Sequence, residues 1–289
     1  MHLIVNKTAG GKSGKKSKKT LFIVENRLKE RNINYQVHAT EYKGHATLLT
    51  RELIEKGANK IVVLGGDGTL HEVINGFHSF ETACLGLIPC GTGNDFATAI
   101  GLPKDPVKAI DLIIDGEPKY TDFMQLPTVR GINVIGAGID VDVLIAYNKL
   151  KHKNKFGYTW CLIKTLFNIN FIKFTANVNG NTTKHNSFIA AIANGDRFGG
   201  GIPICPVANP TDKKLNFVSV EEIRGLKIIP ALIKLMSGKV LTLKQASETP
   251  FEKISIDCEK PFTIDVDGEL YQNVKFDVEI VSDKLKMYR

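Results

Sequence analysis

Short apolar runs alternate with amphipathic stretches along the first 120 or so residues. The runs His2–Val5, Tyr35–Ala39, Lys60–Leu64 and Cys84–Pro89 predict buried strands. Between them, Leu21, Val24 and Leu28 recur at helical spacing and predict a helix over Ser17–Arg31. Leu48, Leu49, Leu53 and Ile54 share one face of a second helix, Ala46–Lys56, which Gly57 terminates. A third runs over Asp105–Asp115, with Pro106 in its first turn and Gly116 beyond its end. Strands alternating with helices predict a parallel sheet with right-handed crossovers.

The pattern changes near residue 123. Short apolar runs with turn signals then dominate: Asn133–Ile135, Phe174–Val178, Phe188–Ile192, Leu215–Val220 and Lys253–Asp257. Asn179-Gly180 predicts a hairpin turn between two of them. Helical insertions are expected near Val143–Lys149, Tyr158–Asn168 and Leu226–Ser237. The expected fold class is α/β plus β: a Rossmann-like α/β nucleotide domain over 1–123 and a β-sandwich-like domain over 124–273. A last strand, near Val274–Val281 within the segment 274–289, is expected to return to the first domain.

Composition narrows the picture. A chain of 289 residues, 43% hydrophobic and 24% charged, is long enough for two ordinary globular domains. No apolar run approaches the ~18 residues of a membrane span, and Leu3-Ile4-Val5 before a basic loop is too short for a signal peptide. The five cysteines are scattered and form no Cys-x-x-Cys pair, which argues against a zinc site or disulfide framework and for a reducing cytoplasm. Cys90, beside a glycine turn, reads as a small filler and not as a nucleophile. The net charge is +8, with lysines clustered at 12–19 and 149–155. Such clusters suit an anionic lipid surface or plain solvated surface. Nucleic acid is disfavoured, because no recognition motif or aromatic interleaving accompanies the charge.

The candidate chemistry sits after two of the predicted strands. Lys60–Leu64 runs into Gly65-Gly66-Asp67-Gly68-Thr69-Leu70-His71-Glu72, and Cys84–Pro89 into Gly91-Thr92-Gly93-Asn94-Asp95-Phe96-Ala97. Glycines let backbone N–H groups approach a ligand closely, and a concavity of N–H groups suits phosphate. A carboxylate in such a turn repels phosphate unless a cation lies between them, and magnesium is held by one or two carboxylates plus substrate phosphates. Two such turns at the carboxyl edge of one parallel sheet fit a single nucleotide. Helix capping by Asp67 or Asp95 is the plainer alternative.

The two turns, Gly-Gly-Asp-Gly-Thr and Gly-Thr-Gly-Asn-Asp-Phe-Ala, resemble the diacylglycerol kinase catalytic-domain family, and most of all its bacterial soluble lipid kinases. Further blocks extend the resemblance: Asn6-Lys7-Thr8-Ala9-Gly10, Thr40 with Gly44-His45-Ala46, Gly136-Ala137-Gly138-Ile139-Asp140, Lys155-Phe156-Gly157-Tyr158, Asn194-Gly195 with Phe198-Gly199-Gly200-Gly201, and Asp267-Gly268-Glu269. It implies an ATP- and magnesium-dependent lipid kinase with its ATP cleft between two domains. ATP would be bound by Asn6, Thr8, Gly10, Thr40, Gly65, Gly66, Asp67, Gly68, Thr69, Glu72, Thr92 and Asn94. Asp67 and Asp95 would serve the catalytic magnesium, and Glu269 would be the general base. Diacylglycerol is the leading acceptor, met at the inner face of the membrane by peripheral contact, and a homodimer is the default oligomer.

One block departs from the family. Its usual Asp-Gly-x-Leu-Asp, which holds a structural metal, here reads Asp212-Lys213-Lys214-Leu215-Asn216. Asp212, Asn209 and the Lys214 carbonyl are the candidates left for that metal. Asp265, Asp267 and Glu269 alternate along one expected strand and would then point to one side. Two rival readings remain: an NAD kinase-like enzyme, which shares Gly-Gly-Asp-Gly-Thr, and a nucleotide sensor without turnover. A P-loop is rejected because its first glycine falls on Asn6, and a dinucleotide fingerprint because its third falls on Val141.

Overall fold

The computed structural model describes residues 1–9, 14–150, 155–165, 170–258 and 263–289. They form two compact units, Met1–Asp122 with Ser282–Arg289, and Phe123–Val281.

The first unit contains β1 (His2–Val5), α1 (Lys15–Glu30), β2 (Gln36–Ala39), α2 (His45–Glu55), β3 (Lys60–Gly65), α3 (Asp67–Gly76), β4 (Cys84–Pro89), α4 (Asp95–Ala99), α5 (Pro106–Asp115) and the start of β5 (Pro118–Gln125). Its strands β2, β1, β3 and β4 pair in parallel in that order. Leu3 to Val5 and Ile61 to Leu64 are buried on both faces of the sheet. That explains why these strands read as continuous apolar runs and not as alternating ones. Helix α1 buries Val24 and Leu28, and its outer edge is tied to α5 by Arg27, whose guanidinium donates to both Asp111 oxygens at 2.7 and 2.9 Å. Asp105 caps α5 by accepting from the Lys108 N–H, with Pro106 in the first turn.

The second unit begins within β5 and continues through β6 (Arg130–Gly131), β7 (Val134–Gly138), α6 (Ile139–Asn148), α7 (Lys155–Thr165), β8 (Ile172–Val178), β9 (Asn181–Ala193), β10 (Arg197–Phe198), β11 (Ile202–Pro203), β12 (Leu215–Glu221), α8 (Ile228–Met236), β13 (Ala246–Phe251), β14 (Lys253–Cys258), β15 (Ile264–Val266), β16 (Glu269–Tyr271) and much of β17 (Phe276–Tyr288). The strands pair antiparallel in a β-sandwich-like arrangement. Alternation sorts their side chains into two cores. Phe217, Ala190 and Ile192 enter one cluster, while Val218, Val220, Ile189 and Ala191 enter the other beside α6, α7 and α8. The Asn179-Gly180 turn forms as expected, both residues having positive φ, and joins β8 to β9.

The returning strand differs from expectation in extent. Phe276 to Glu279 pair with β14 inside the second unit, and Lys286 and Met287 pair in parallel with β4 in the first. Only Ser282–Arg289 belongs to the first unit, because β17 pairs first with β14 and then, at Lys286 and Met287, with β4. The helix expected over Tyr158–Asn168 starts earlier, at Lys155, and is described as far as Thr165. Among the described residues no helix is long and apolar enough to cross a membrane.

Candidate functional site

Three loops meet at the carboxyl ends of β1, β3 and β4. Gly66 and Gly91 touch backbone to backbone: a Cβ on Gly91 would lie 2.5 Å from the Gly66 Cα, and one on Gly66 would lie 2.9 Å from the Gly91 Cα. Only glycine fits at either position. A Cβ on Gly65 would strike the Thr69 side chain at 2.6 Å, so this glycine also leaves room for the turn of α3. The first loop joins through Asn6. Its amide donates to Thr69 Oγ1 at 3.1 Å, and its Oδ1 accepts from the Thr8 N–H and hydroxyl.

The two acids stand at neighbouring helix starts. Gly66 is the N-cap of α3 and Asp67 its first residue; Asn94, with positive φ, precedes Asp95 at the start of α4. Neither acid is the N-cap residue of its helix. Asp67 Oδ1 instead accepts from the Phe96 N–H at 3.2 Å, which brings the Asp67 carboxylate to the turn that carries the buried Asp95. This pair, beside a backbone cradle that any Cβ would fill, has the donor set that magnesium takes when phosphates supply the remaining oxygens.

Several of the sequence candidates shape the loops themselves. Asn94 clamps the Gly91 peptide, accepting from its N–H at 2.8 Å and donating to its carbonyl at 3.0 Å. Glu72 is turned to α2: its two carboxylate oxygens accept from the Gly44 and Ala46 N–H groups at 2.8 and 3.1 Å. It therefore holds the loop after Thr40, whose own N–H donates to the Val5 carbonyl. Thr8 and Thr92 are exposed, Gly68 lies in the first turn of α3, and Gly10 falls outside the described residues. The geometry also adds Lys16, whose ammonium donates to the Gly91 carbonyl at 3.0 Å. In the sequence it was one lysine in a cluster; only the fold of α1 against the β4 loop distinguishes it. Cys90 is buried, and burial pushes its thiol up to about 11, which fits a filler and not a nucleophile.

In the second unit, the expected single strand through Asp265, Asp267 and Glu269 is a tight hairpin. β15 ends at Val266, Asp267 and Gly268 turn with positive φ, and β16 starts at Glu269. Asp-Gly is a strong hairpin signal that the alternating acids obscured. Because Val266 pairs with Glu269 and Asp265 with Leu270, Glu269 and Asp265 lie on opposite faces. The three acids therefore have three environments. Asp267 is structural: its carboxylate accepts from the Ile132, Asn133 and Val134 N–H groups at 2.8, 2.8 and 3.2 Å, pinning the hairpin to β7. Glu269 sits half-buried directly after the turn.

Asp265 joins Asp140 in a buried acid pair that the sequence did not reveal. Asp140 accepts from the Tyr158 hydroxyl at 3.2 Å, and Asp265 from the Gly268 N–H at 2.7 Å. Two glycines make room for the pair and its partner. A Cβ on Gly136 would meet Asp140 Oδ2 at 1.8 Å, and one on Gly199 would meet the Tyr158 ring at 2.5 Å. Burial pushes Asp140 up to about 6, and burial with the neighbouring Asp140 charge raises Asp265 well above the carboxylate range. The pair thus holds a proton that the unfolded chain loses near pH 4. Its stabilisation is full below that pH and falls away as pH rises through the folded values. Between pH 5 and 8 the parent is expected to lose on the order of 1–3 kcal/mol more stability than Asp265→Asn, whose amide keeps both hydrogen bonds without titrating. Urea unfolding midpoints at both pH values test this, and parallel losses in the two proteins would refute a shared proton.

The candidate structural metal site offers a single acid, Asp212, on an exposed loop. Asp212, Asn209 and Lys214 are exposed, Asp212 Oδ1 accepts from the Lys214 N–H at 3.1 Å, and Lys213 adopts a φ of 62° where the family has glycine. The buried Asn216 amide donates to Glu248 at 2.6 Å, a contact that a second acid at this position would turn into repulsion. Among the described residues no group of three or more His, Cys, Asp or Glu side chains is arranged for a metal. EDTA is expected to leave the melting temperature of the nucleotide-free protein unchanged, while Asn216→Asp should lower it by roughly 2–4 °C for each kcal/mol of repulsion. A fall of several degrees on EDTA treatment of the parent would reveal a structural metal.

Comparison with known proteins agrees with this geometry. Residues 1–126 match the family described as "Diacylglycerol kinase catalytic domain", and residues 133–289 match "YegS C-terminal NAD kinase beta sandwich-like domain". A Stenotrophomonas maltophilia protein named "Probable lipid kinase YegS-like" is 32% identical over 270 residues, covering 89% of this chain and 87% of its own. A Xanthomonas campestris protein of the same name is 30% identical over 274 residues, covering 90% and 88%. A solved Bacillus anthracis structure described as a diacylglycerol kinase superposes with a TM-score of 0.75 at 21% identity, covering 99% of this chain and 95% of that one, a likeness of fold.

Proposed function

Since this chain belongs to the diacylglycerol kinase catalytic-domain family, we propose that it transfers the γ-phosphate of ATP to a lipid hydroxyl, with diacylglycerol as the leading acceptor. The observation that carries the reading is the meeting of Asp67 and the Asp95 turn beside the Gly66–Gly91 contact. Phosphoryl transfer calls for positioning and charge neutralisation more than for covalent chemistry. Magnesium, when bound, neutralises charge on the phosphates. Asp67 and Asp95 would hold it, the glycine backbones would line the phosphates, and the Lys16 ammonium would add a positive charge at the Gly91 loop. Glu269 would take the proton from the acceptor hydroxyl.

The relatives favour a lipid over a nucleotide acceptor: both curated proteins above are named probable lipid kinases. The test supplies labelled ATP with dioleoylglycerol in mixed micelles and, separately, with NAD. Label is expected in phosphatidic acid, and only with magnesium present. Label in NADP alone would replace the lipid reading with a nucleotide kinase, and label in neither would leave a binding protein.

A further inference from the structure

A threonine, a histidine and a glutamate form one hydrogen-bonded line in the second unit. Thr183 and His185 stand two apart on β9 and so share a face of the sheet. Thr183 Oγ1 lies 2.8 Å from His185 Nε2, and His185 Nδ1 lies 2.7 Å from Glu221 Oε1 on β12. A bulge at Val220 and Glu221 shifts the β9–β12 register, which sets Glu221 opposite Ser187, on the face that carries His185. Further donors fix the carboxylate: Oε2 accepts from the Asn186 N–H at 2.9 Å, and Oε1 from the Ser187 and Ser219 hydroxyls at 3.1 and 3.0 Å. Burial alone would raise the Glu221 carboxyl, but these bonds and the one from His185 hold it below its ordinary value. An ionised carboxylate can only accept, so Nδ1 carries the proton of the neutral imidazole and Nε2 accepts from the Thr183 hydroxyl. The ring is packed against Phe174, stacked at 4.9 Å between centroids, and Phe217, edge-on at 5.6 Å. Thr183 is exposed, and the other acceptor near its hydroxyl, the Ala176 carbonyl, lies 3.5 Å away.

A hydroxyl on one imidazole nitrogen and a held carboxylate on the other is the order of nucleophile, base and orienting group that activates a hydroxyl for acyl transfer. A donor for the developing oxyanion stands beside it. Asn186 turns its N–H and carbonyl away from β8 and toward the β12 side, and alternate residues of an antiparallel strand do the same. The Lys184 N–H therefore points to that edge, beyond Glu221, the last β12 residue paired with β9. The N–H of the residue after the nucleophile is one of the two oxyanion donors of the nucleophile-elbow hydrolases. Thr183 lies on an open strand surface, which a small ester reaches from solvent. We propose that Thr183 is the nucleophile of a second activity, the hydrolysis of small carboxylic esters, with His185 as general base and Glu221 as its positioning residue. The Thr183 hydroxyl proton passes to His185 Nε2 as Oγ1 bonds to the ester carbonyl carbon. The bond from that carbon to the leaving oxygen breaks, and the leaving alcohol takes the proton from Nε2. Water then adds to the acyl-threonine and gives a proton to Nε2; the carboxylic acid departs and Oγ1 recovers the proton. All three residues lie in the second unit, and the activity does not depend on the lipid-kinase reading.

The probe is p-nitrophenyl acetate, with p-nitrophenolate release and acetylation of the full chain followed together. Turnover above the buffer rate is expected, and peptide mass spectrometry after a rapid acid quench should place the acetyl group on Thr183. Thr183→Ala and His185→Gln should each lower kcat/KM by at least about 10²-fold. Thr183→Ser, which keeps the hydroxyl, should stay within a few-fold of the parent. Glu221→Gln should lower kcat by at least about tenfold with KM little changed, since Glu221 acts only through the imidazole. Thr183 is exposed, so both of its variants should keep the parent melting temperature, and they decide the matter even where a change at His185 or Glu221 unfolds the chain. Equal rates for the parent and folded Thr183→Ala, acetyl groups on lysines or histidines alone, or no rate above buffer would each overturn the proposal and leave a structural cluster. A folded Glu221→Gln with the parent kcat would overturn the positioning role. None of these outcomes bears on lipid phosphorylation, for which none of the three residues is invoked.

Discussion

Asp67→Asn is expected to lower lipid phosphorylation by on the order of 10³-fold or more while the protein stays folded. The asparagine carbonyl can still accept from the Phe96 N–H, so the link between the α3 and α4 turns survives the change. What is lost is the negative charge beside the glycine cradle, and with it the protein's share in holding magnesium against the phosphates. A single preorganised electrostatic contact to a developing charge is typically worth ~10²–10³-fold, and one placed through a divalent cation should reach the upper end. Melting temperature and turnover, measured on the same preparation, check this. Turnover within a few-fold of the parent, in a folded variant, would remove Asp67 from the mechanism. An alanine at the same position is a poorer probe, because it also deletes the hydrogen bond to Phe96.

The second large effect is expected at Glu269. A general base contributes ~10²–10⁴-fold, and Glu269→Gln keeps the shape of the side chain while removing its basicity. Turnover should fall within that range and ATP affinity should change little, since Glu269 lies in the second unit and the phosphate loops lie in the first. Its backbone setting is rigid: the Asp267 carboxylate, anchored by three N–H groups, fixes the turn that precedes it. Turnover and nucleotide affinity of parent and variant, with lipid in mixed micelles, separate the outcomes. Equal turnover would show that Glu269 is not the base. Suspicion would not then pass to Asp267, which is committed to the backbone, nor readily to Asp265, which faces the other side of the hairpin and shares its proton with Asp140.

The positions of β1, β3 and β4, the helices α1, α2 and α5, and both glycine turns are legible in the sequence because local rules govern them. Strands buried on both faces must be apolar runs, helices that cover them must repeat at 3.6, and backbones that touch must be glycine. The likeness to lipid kinases was legible for the same reason, since its motifs are those local turns. Side-chain destinations were not legible. Glu72 and Asn94 sit within the motifs, yet their polar atoms are spent on the Gly44, Ala46 and Gly91 backbone, because loop peptides far apart in sequence needed partners there. Lys16 is set apart from the other lysines only by the packing of α1 beside the Gly91 loop. The Asp140–Asp265 pair, 125 positions apart, exists only once β7 and β15 pair and Gly136 opens the space between them. Periodicity and turn chemistry act over a few residues, so the elements and the loops can be read along the chain. Which polar groups are buried together depends on contacts between distant segments, which exist only once the chain has folded.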